Sequence, residues 1–174
     1  VAAAATTIEA GLAAVLLSAV YGGERLVHAV GGYPAPYGIE LVGDGLSAPI
    51  VALIAAVSLG VVAFAYTGGP RRNNFYSAYL LLVGGLMGVS VTGDLFNMFV
   101  FLEITGLATY ALVAADRSDR SAVAALKYLI LGTMGASFFI IGVGYAFIST
   151  GTLNMVDLSS RLAGHYTARP VLAS

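Results

Sequence analysis

The run from Leu95 to Ala115 limits this chain more than any other: it is apolar, long enough for one membrane helix, and carries a single formal charge, Glu103. A hydrocarbon core about 30 Å thick is crossed by about 20 apolar residues rising 1.5 Å each. Four more charge-poor runs accompany it: Val1 to Tyr21 with Glu9 inside, Gly45 to Tyr66, Phe75 to Val91, and Ser121 to Thr150 with Lys127 inside. Only 10% of the residues are charged and 59% are hydrophobic, against roughly 25% charged in soluble domains. These runs predict an all-α membrane protein of about five transmembrane helices, a single membrane domain over residues 1–174 that forms part of a larger bundle in the bilayer.

Glu103 lies eight residues beyond Leu95, roughly 12 Å along a helix and near the bilayer centre. An Asp-like charge there costs about 2.5–3.5 kcal/mol on insertion scales, so such a residue marks an ion path, a proton relay or a buried pair. Lys127 stands six residues into its run, roughly 9 Å from its start. Two readings stand for it: snorkelling toward the charged 116–120 loop, or an internal role. Glu9 and Asp94 are secondary proton-transfer candidates, Glu9 as a second intramembrane carboxylate and Asp94 in the short Thr92-Gly-Asp94 turn. The fifth run, about 30 residues or roughly 45 Å, exceeds the hydrocarbon thickness, so it must tilt, begin in the headgroups, or break near Gly132 and Gly135. Gly84 and Gly88 form a small-xxx-small pair for close helix packing.

Between the first two runs, residues 22–43 are punctuated by Gly and Pro, and Leu26 to Val30 and Ile39 to Val42 fit a short extramembrane β-hairpin. Residues 153–163 fit a short interfacial helix. The chain has no Cys and only two histidines, His28 and His165. No thiolate cluster, disulfide frame or metal site is expected, and His28 reads as a hairpin or surface histidine. No cofactor is expected. The net charge of -1 and the scattered basic residues argue against nucleic acid as a partner. Arg71, Arg72, Arg117 and Arg120 face Arg25, Arg161 and Arg169 across the bilayer, a slight excess that places the first group in the cytoplasm. The open apolar start at Val1 and the helix-entry pattern of Arg169-Pro-Val-Leu-Ala-Ser174 suggest a piece of a longer chain, truncated at both ends.

Thr92-Gly-Asp-Leu-Phe-Asn-Met-Phe-Val-Phe-Leu-Glu103, followed by Leu126-Lys-Tyr-Leu-Ile-Leu-Gly132 and Thr150-Gly-Thr-Leu-Asn-Met155, resembles the antiporter-like proton-translocating family. That family includes the Mrp-type Na+/H+ antiporters, through their D-type membrane component, and related subunits of membrane-bound hydrogenases and respiratory complex I. The Gly-Gly-Tyr-Pro-Ala-Pro-Tyr-Gly-Ile segment turns the likeness toward the Mrp D branch. The resemblance implies about fourteen helices in two inverted five-helix repeats, of which this chain would supply an N-terminal part. It implies that Glu103 matches the family's helix-five glutamate and Lys127 its helix-six lysine, both in a proton relay. It also implies other membrane subunits as partners, protons and Na+ as ions, and the plasma membrane of a prokaryote as the location.

Three readings compete. In the first, a carboxyl whose basic neighbour comes and goes gains and loses a proton with it, which makes Glu103 and Lys127 a pump element driven by a cation gradient or by a redox module on another subunit. In the second they form a static buried pair that only orients helices, in a structural subunit without transport. In the third the chain belongs to a quinone-site subunit of an oxidoreductase, for which it offers no local redox ligands.

Overall fold

The computed structural model describes residues 1–69, 73–115 and 118–167, apart from the side chains of 73 and 164–167. Arg71, Arg72, Asp116, Arg117, Arg169 and the His165 side chain, which enter the sequence reading, lie outside the described residues. The elements in chain order are α1 (Ala2–Tyr21), β1 (Leu26–Ala29), β2 (Glu40–Gly43), α2 (Ser47–Thr67), α3 (Asn73–Val91), α4 (Leu95–Ala114), α5 (Asp119–Thr150) and α6 (Met155–Thr167), with a 3-10 turn at Val30–Gly32. The first five α-helices are long and apolar enough to cross a membrane. Every backbone group of such a segment is satisfied within the helix, which is why the apolar runs take this form in lipid. β1 and β2 pair antiparallel, with His28 opposite Leu41.

Polar residues set the helix starts. The Asp44 carboxylate accepts from the backbone N–H of Leu46 and Ser47 at 3.0 and 2.9 Å, and the Ser47 hydroxyl accepts from the Asp44 N–H at 2.7 Å. This reciprocal arrangement satisfies donors that a helix N-terminus otherwise leaves open. Ser118 and Ser121 form the same kind of box at the start of α5. That helix ends at Gly151, which takes the left-handed conformation (φ 71°) and returns its N–H to Phe147 O at 2.7 Å.

α5 is one continuous helix of 32 residues, so the break considered near Gly132 and Gly135 is not there. Its extra length comes in part from beginning at the polar Ser118 cap, outside the apolar run. The expected Gly84–Gly88 close approach holds at Gly88 and not at Gly84. A Cβ on Gly84 would meet nothing within 4 Å, whereas one on Gly85 would come within 2.6 Å of Thr105 Cγ2, and one on Gly88 would overlap the Phe101 ring. The face of α3 that receives α4 is therefore the Gly85–Gly88 stripe, and small residues there let the two backbones approach closely.

α1 packs against α2. Ala13 joins Val51 and Ala55 in one buried cluster, flanked by Ala10 and Leu16. Leu16 reaches Gly43 just before α2, while Ala2 and Ala3 face Val62 and Tyr66 across a cavity, so the two helices run antiparallel. At the hairpin end, three segments join. The Gly93 N–H donates to Glu40 O at 2.8 Å, the Leu95 N–H to Leu153 O at 2.9 Å and the Met155 N–H to Gly93 O at 2.8 Å. The β2 strand, the α3–α4 turn and the α5–α6 turn thus share one small network over buried Thr92, Asp94, Thr152 and Asn154.

Candidate functional site: the seam between α4 and α5

α4 lies between α3 and α5. On it, Glu103 is partly buried. Seven residues later on the same face stands Tyr110, two turns on. Its hydroxyl occupies the space that a Cβ on Gly132 of α5 would need, and it would lie 3.1 Å from a Cβ on Gly106. The Tyr110 ring also meets Tyr128 of α5 edge to face, with centroids 5.3 Å apart. The result is a phenol inserted between α4 and α5, two turns from Glu103 on one face of α4. Such a hydroxyl can donate and accept, and so can pass a hydrogen bond across the seam.

Lys127 precedes Tyr128 on α5, yet its side chain lies in an exposed groove with Asp119, Arg120, Val123 and Ala124. That groove runs toward the α5 start. Among the described residues the ion pair formed is Asp157 with Arg161, at 2.9 Å. Glu103 and Lys127 sit on neighbouring helices without direct contact of that kind, so the static ion pair lacks the contact it requires.

Asp94 sits elsewhere, at the N-terminus of α4, where its Oδ1 accepts from the Asn97 N–H at 2.8 Å. Thr92 Oγ1 accepts from the Asp94 N–H at 3.3 Å and from Asn97 Nδ2 at 3.0 Å. Asn154 plays the matching part for α6: its Oδ1 accepts from the Val156 and Asp157 N–H groups, and its Nδ2 donates to Glu40 Oε2 at 2.8 Å. Asp157 in turn holds Arg161, whose hydrogen bond keeps the Asp157 carboxyl below its ordinary range, and Arg161 Nη1 also donates to Thr150 O at 2.7 Å. Glu9 is on α1, away from both places. His28 lies on the exposed β1 strand, and among the described residues no cluster of three His, Cys, Asp or Glu could hold a metal.

Sequence reasoning passed over Tyr110, Tyr128 and Gly132. The first carried a usable signal, since its seven-residue spacing from Glu103 puts both on one helix face. The other two stood in the 126–132 motif, Gly132 also as a candidate break, but their part in the seam comes from a contact between helices that no local pattern shows.

Residues 92–171 match the family described as NADH:quinone oxidoreductase/Mrp antiporter, TM. The chain is 46% identical over 162 residues to NADH-quinone oxidoreductase subunit N of Desulforudis audaxviator, which covers 90% of this chain and 32% of that protein. It is 35% identical over 163 residues to the D-type component of the Na(+)/H(+) antiporter of Bacillus subtilis, covering 92% of this chain and 33% of that one. In the solved structure of the membrane-bound sulfane sulfur reductase, an archaeal respiratory membrane complex, one chain superposes with a TM-score of 0.87 at 34% identity, over 91% of this chain and 33% of its own. The chain spans about a third of the length of these relatives.

Proposed function

Because the chain belongs to the membrane-subunit family that NADH:quinone oxidoreductases and Mrp antiporters share, we propose that it carries the Glu103 and Lys127 part of a proton path in a multi-subunit cation/proton antiporter. The observation that carries this reading is the α4–α5 seam. A carboxylate in the middle of an apolar helix shares its face with a phenol that is wedged against Gly132 of the next helix. Glu103 takes a proton, Tyr110 extends the hydrogen-bonded route across the seam, and Lys127 exchanges protons with water on the α5 side. Other membrane subunits complete the channel in a prokaryotic plasma membrane, with Na+ as the coupled ion.

The test is Glu103→Gln in the full-length protein within its complex, reconstituted in vesicles with an imposed pH gradient. Glutamine keeps shape and hydrogen bonding and removes titration. Proton-coupled flux should fall about 100-fold or more, the scale of a lost acid–base group, while assembly persists. Lys127→Ala should lower the same flux, and the two losses should be non-additive. Normal flux in Glu103→Gln at matched protein level would leave a structural role as the better reading.

A second reading has its own support, since the 46% identity to a quinone-reductase subunit exceeds the 35% identity to the antiporter component. Under it the same residues conduct protons driven by a redox module on other subunits. Flux that follows quinone reduction and ignores a Na+ gradient would select it.

A further inference from the structure

The α1–α2 seam holds two buried polar atoms that the α4–α5 route does not use. Glu9 Oε2 and Ser58 Oγ are both covered from solvent and have no hydrogen-bond partner among the described residues. Helix register puts them near one level. Ala13 packs on Val51 and Ala55, and one helical turn from there, toward the α1 start and along antiparallel α2, lie Glu9 and Ser58. On α2 the buried stripe is Val51, Ala55, Ser58, Val62 and Ala65, so Ser58 lies on the face of α2 that packs on its neighbours rather than toward lipid. Its side chain is 1% exposed.

The other hydroxyls show what Ser58 forgoes. Thr6, Ser90, Thr109, Thr133 and Ser137 return their hydroxyls to carbonyls three or four residues back in their own helices. That is the usual way to satisfy such a group inside a helix. Ser58 makes no such bond, and neighbouring Thr6 is already committed to Ala2 and Ala3, so it does not compete for Glu9. A buried polar group left unpaired costs about 1–3 kcal/mol, and two at one level call for a shared partner.

We propose that Glu9 and Ser58 form a second proton-exchanging site, in the α1–α2 seam and separate from Glu103. Taking up a proton from hydronium forms an O–H bond at the Glu9 carboxylate and leaves water, a molecule able to bridge to the unpaired Ser58 Oγ, and release reverses the step. Among the described residues no other charged side chain comes from the helices packed on α1. α2 and α3, the helices packed on α1, contain no Asp, Glu, Lys, Arg or His. Their titratable groups are Tyr66, Tyr76 and Tyr79, and the Glu40 and Asp44 carboxyls lie beyond Leu16 at the hairpin end. A cavity of about 720 Å³ bordered by Ala2, Ala3, Val62 and Tyr66 lies toward the α1 start, with Val62 one turn from Ser58.

The experiment uses the full-length protein in its complex and a membrane-permeant carbodiimide, which modifies carboxyls in apolar surroundings, with the labelled peptide identified by mass spectrometry. Labelling of Glu9 should rise and fall with pH in the parent and in Glu103→Gln. Ser58→Ala should move the midpoint of that profile, and Glu9→Gln should remove the label and lower proton-coupled flux about tenfold or more. Absence of Glu9 labelling across the pH range in the parent, which needs no variant to fold, would overturn the site. So would unchanged flux in a well-assembled Glu9→Gln. Because Glu103 is labelled and assayed independently, loss of one assignment leaves the other standing.

Discussion

At the scale of a residue, the most constrained position in the α4–α5 seam is Gly132. A hydroxyl from α4 fills the volume its Cβ would need, so α5 uses glycine there to admit a neighbour and remains a straight-through helix. Gly132→Ala should cost about 1–3 kcal/mol, the usual range for forcing atoms into a packed site. Tyr110→Phe removes the atom that the new methyl meets, and should recover much of that loss in the double variant. Thermal unfolding of the four proteins of the cycle measures the coupling, and strictly additive losses would count against the contact.

At the scale of an element, the helix starts separate cap from proton carrier. Asp94 accepts from the Asn97 N–H, a role asparagine can fill, so Asp94→Asn should keep near-parent flux while Asp94→Ala loses about 1 kcal/mol of stability. A flux loss in Asp94→Asn as deep as that of Glu103→Gln would instead put Asp94 on the proton route. Asp44 gives a pH signature. The Ser47 and Leu46 N–H bonds hold its carboxyl below the ordinary value of 3.8. A lowered folded value means that its stabilisation is complete above the ordinary value and is lost as pH falls through the lowered one. Hydrogen exchange at the α2 start should therefore quicken in acid below about pH 4, and Asp44→Asn should flatten that dependence.

At the scale of the whole molecule, the hairpin, the start of α4 and the start of α6 behave as one unit because Asn154 bonds both α6 and Glu40, 114 residues away in sequence. Asn154→Ala should remove one cap and one tether together. Exchange at the Val156 and Asp157 amides should rise about five- to tenfold, in line with about 1 kcal/mol for a lost cap, while the α1–α2 seam keeps its protection. Equal acceleration in both regions would mean that the junction does not act locally.

The helical membrane architecture and the small hairpin were legible in the chain itself. Runs of about 20 apolar residues leave backbone groups no partner in lipid except their own helix, and Gly and Pro around two short apolar runs leave little but a turn between strands. The position of Glu103 in mid-helix is likewise a matter of counting. Which faces meet is not. Gly84 and Gly85 are equivalent in composition, and only the crossing of α3 with α4 selects Gly85. Lys127 read equally well as inward or snorkelling, and only the fold shows that it lines a groove with Asp119 and Arg120. The pairing of Asp94 with Asn154, the wedge of Tyr110 against Gly132 and the turn of Ser58 into its seam likewise depend on residues far apart in sequence. Local pattern sets which segments are helices and how deep each charge lies, whereas contacts between helices decide which of those charges and hydroxyls can reach one another.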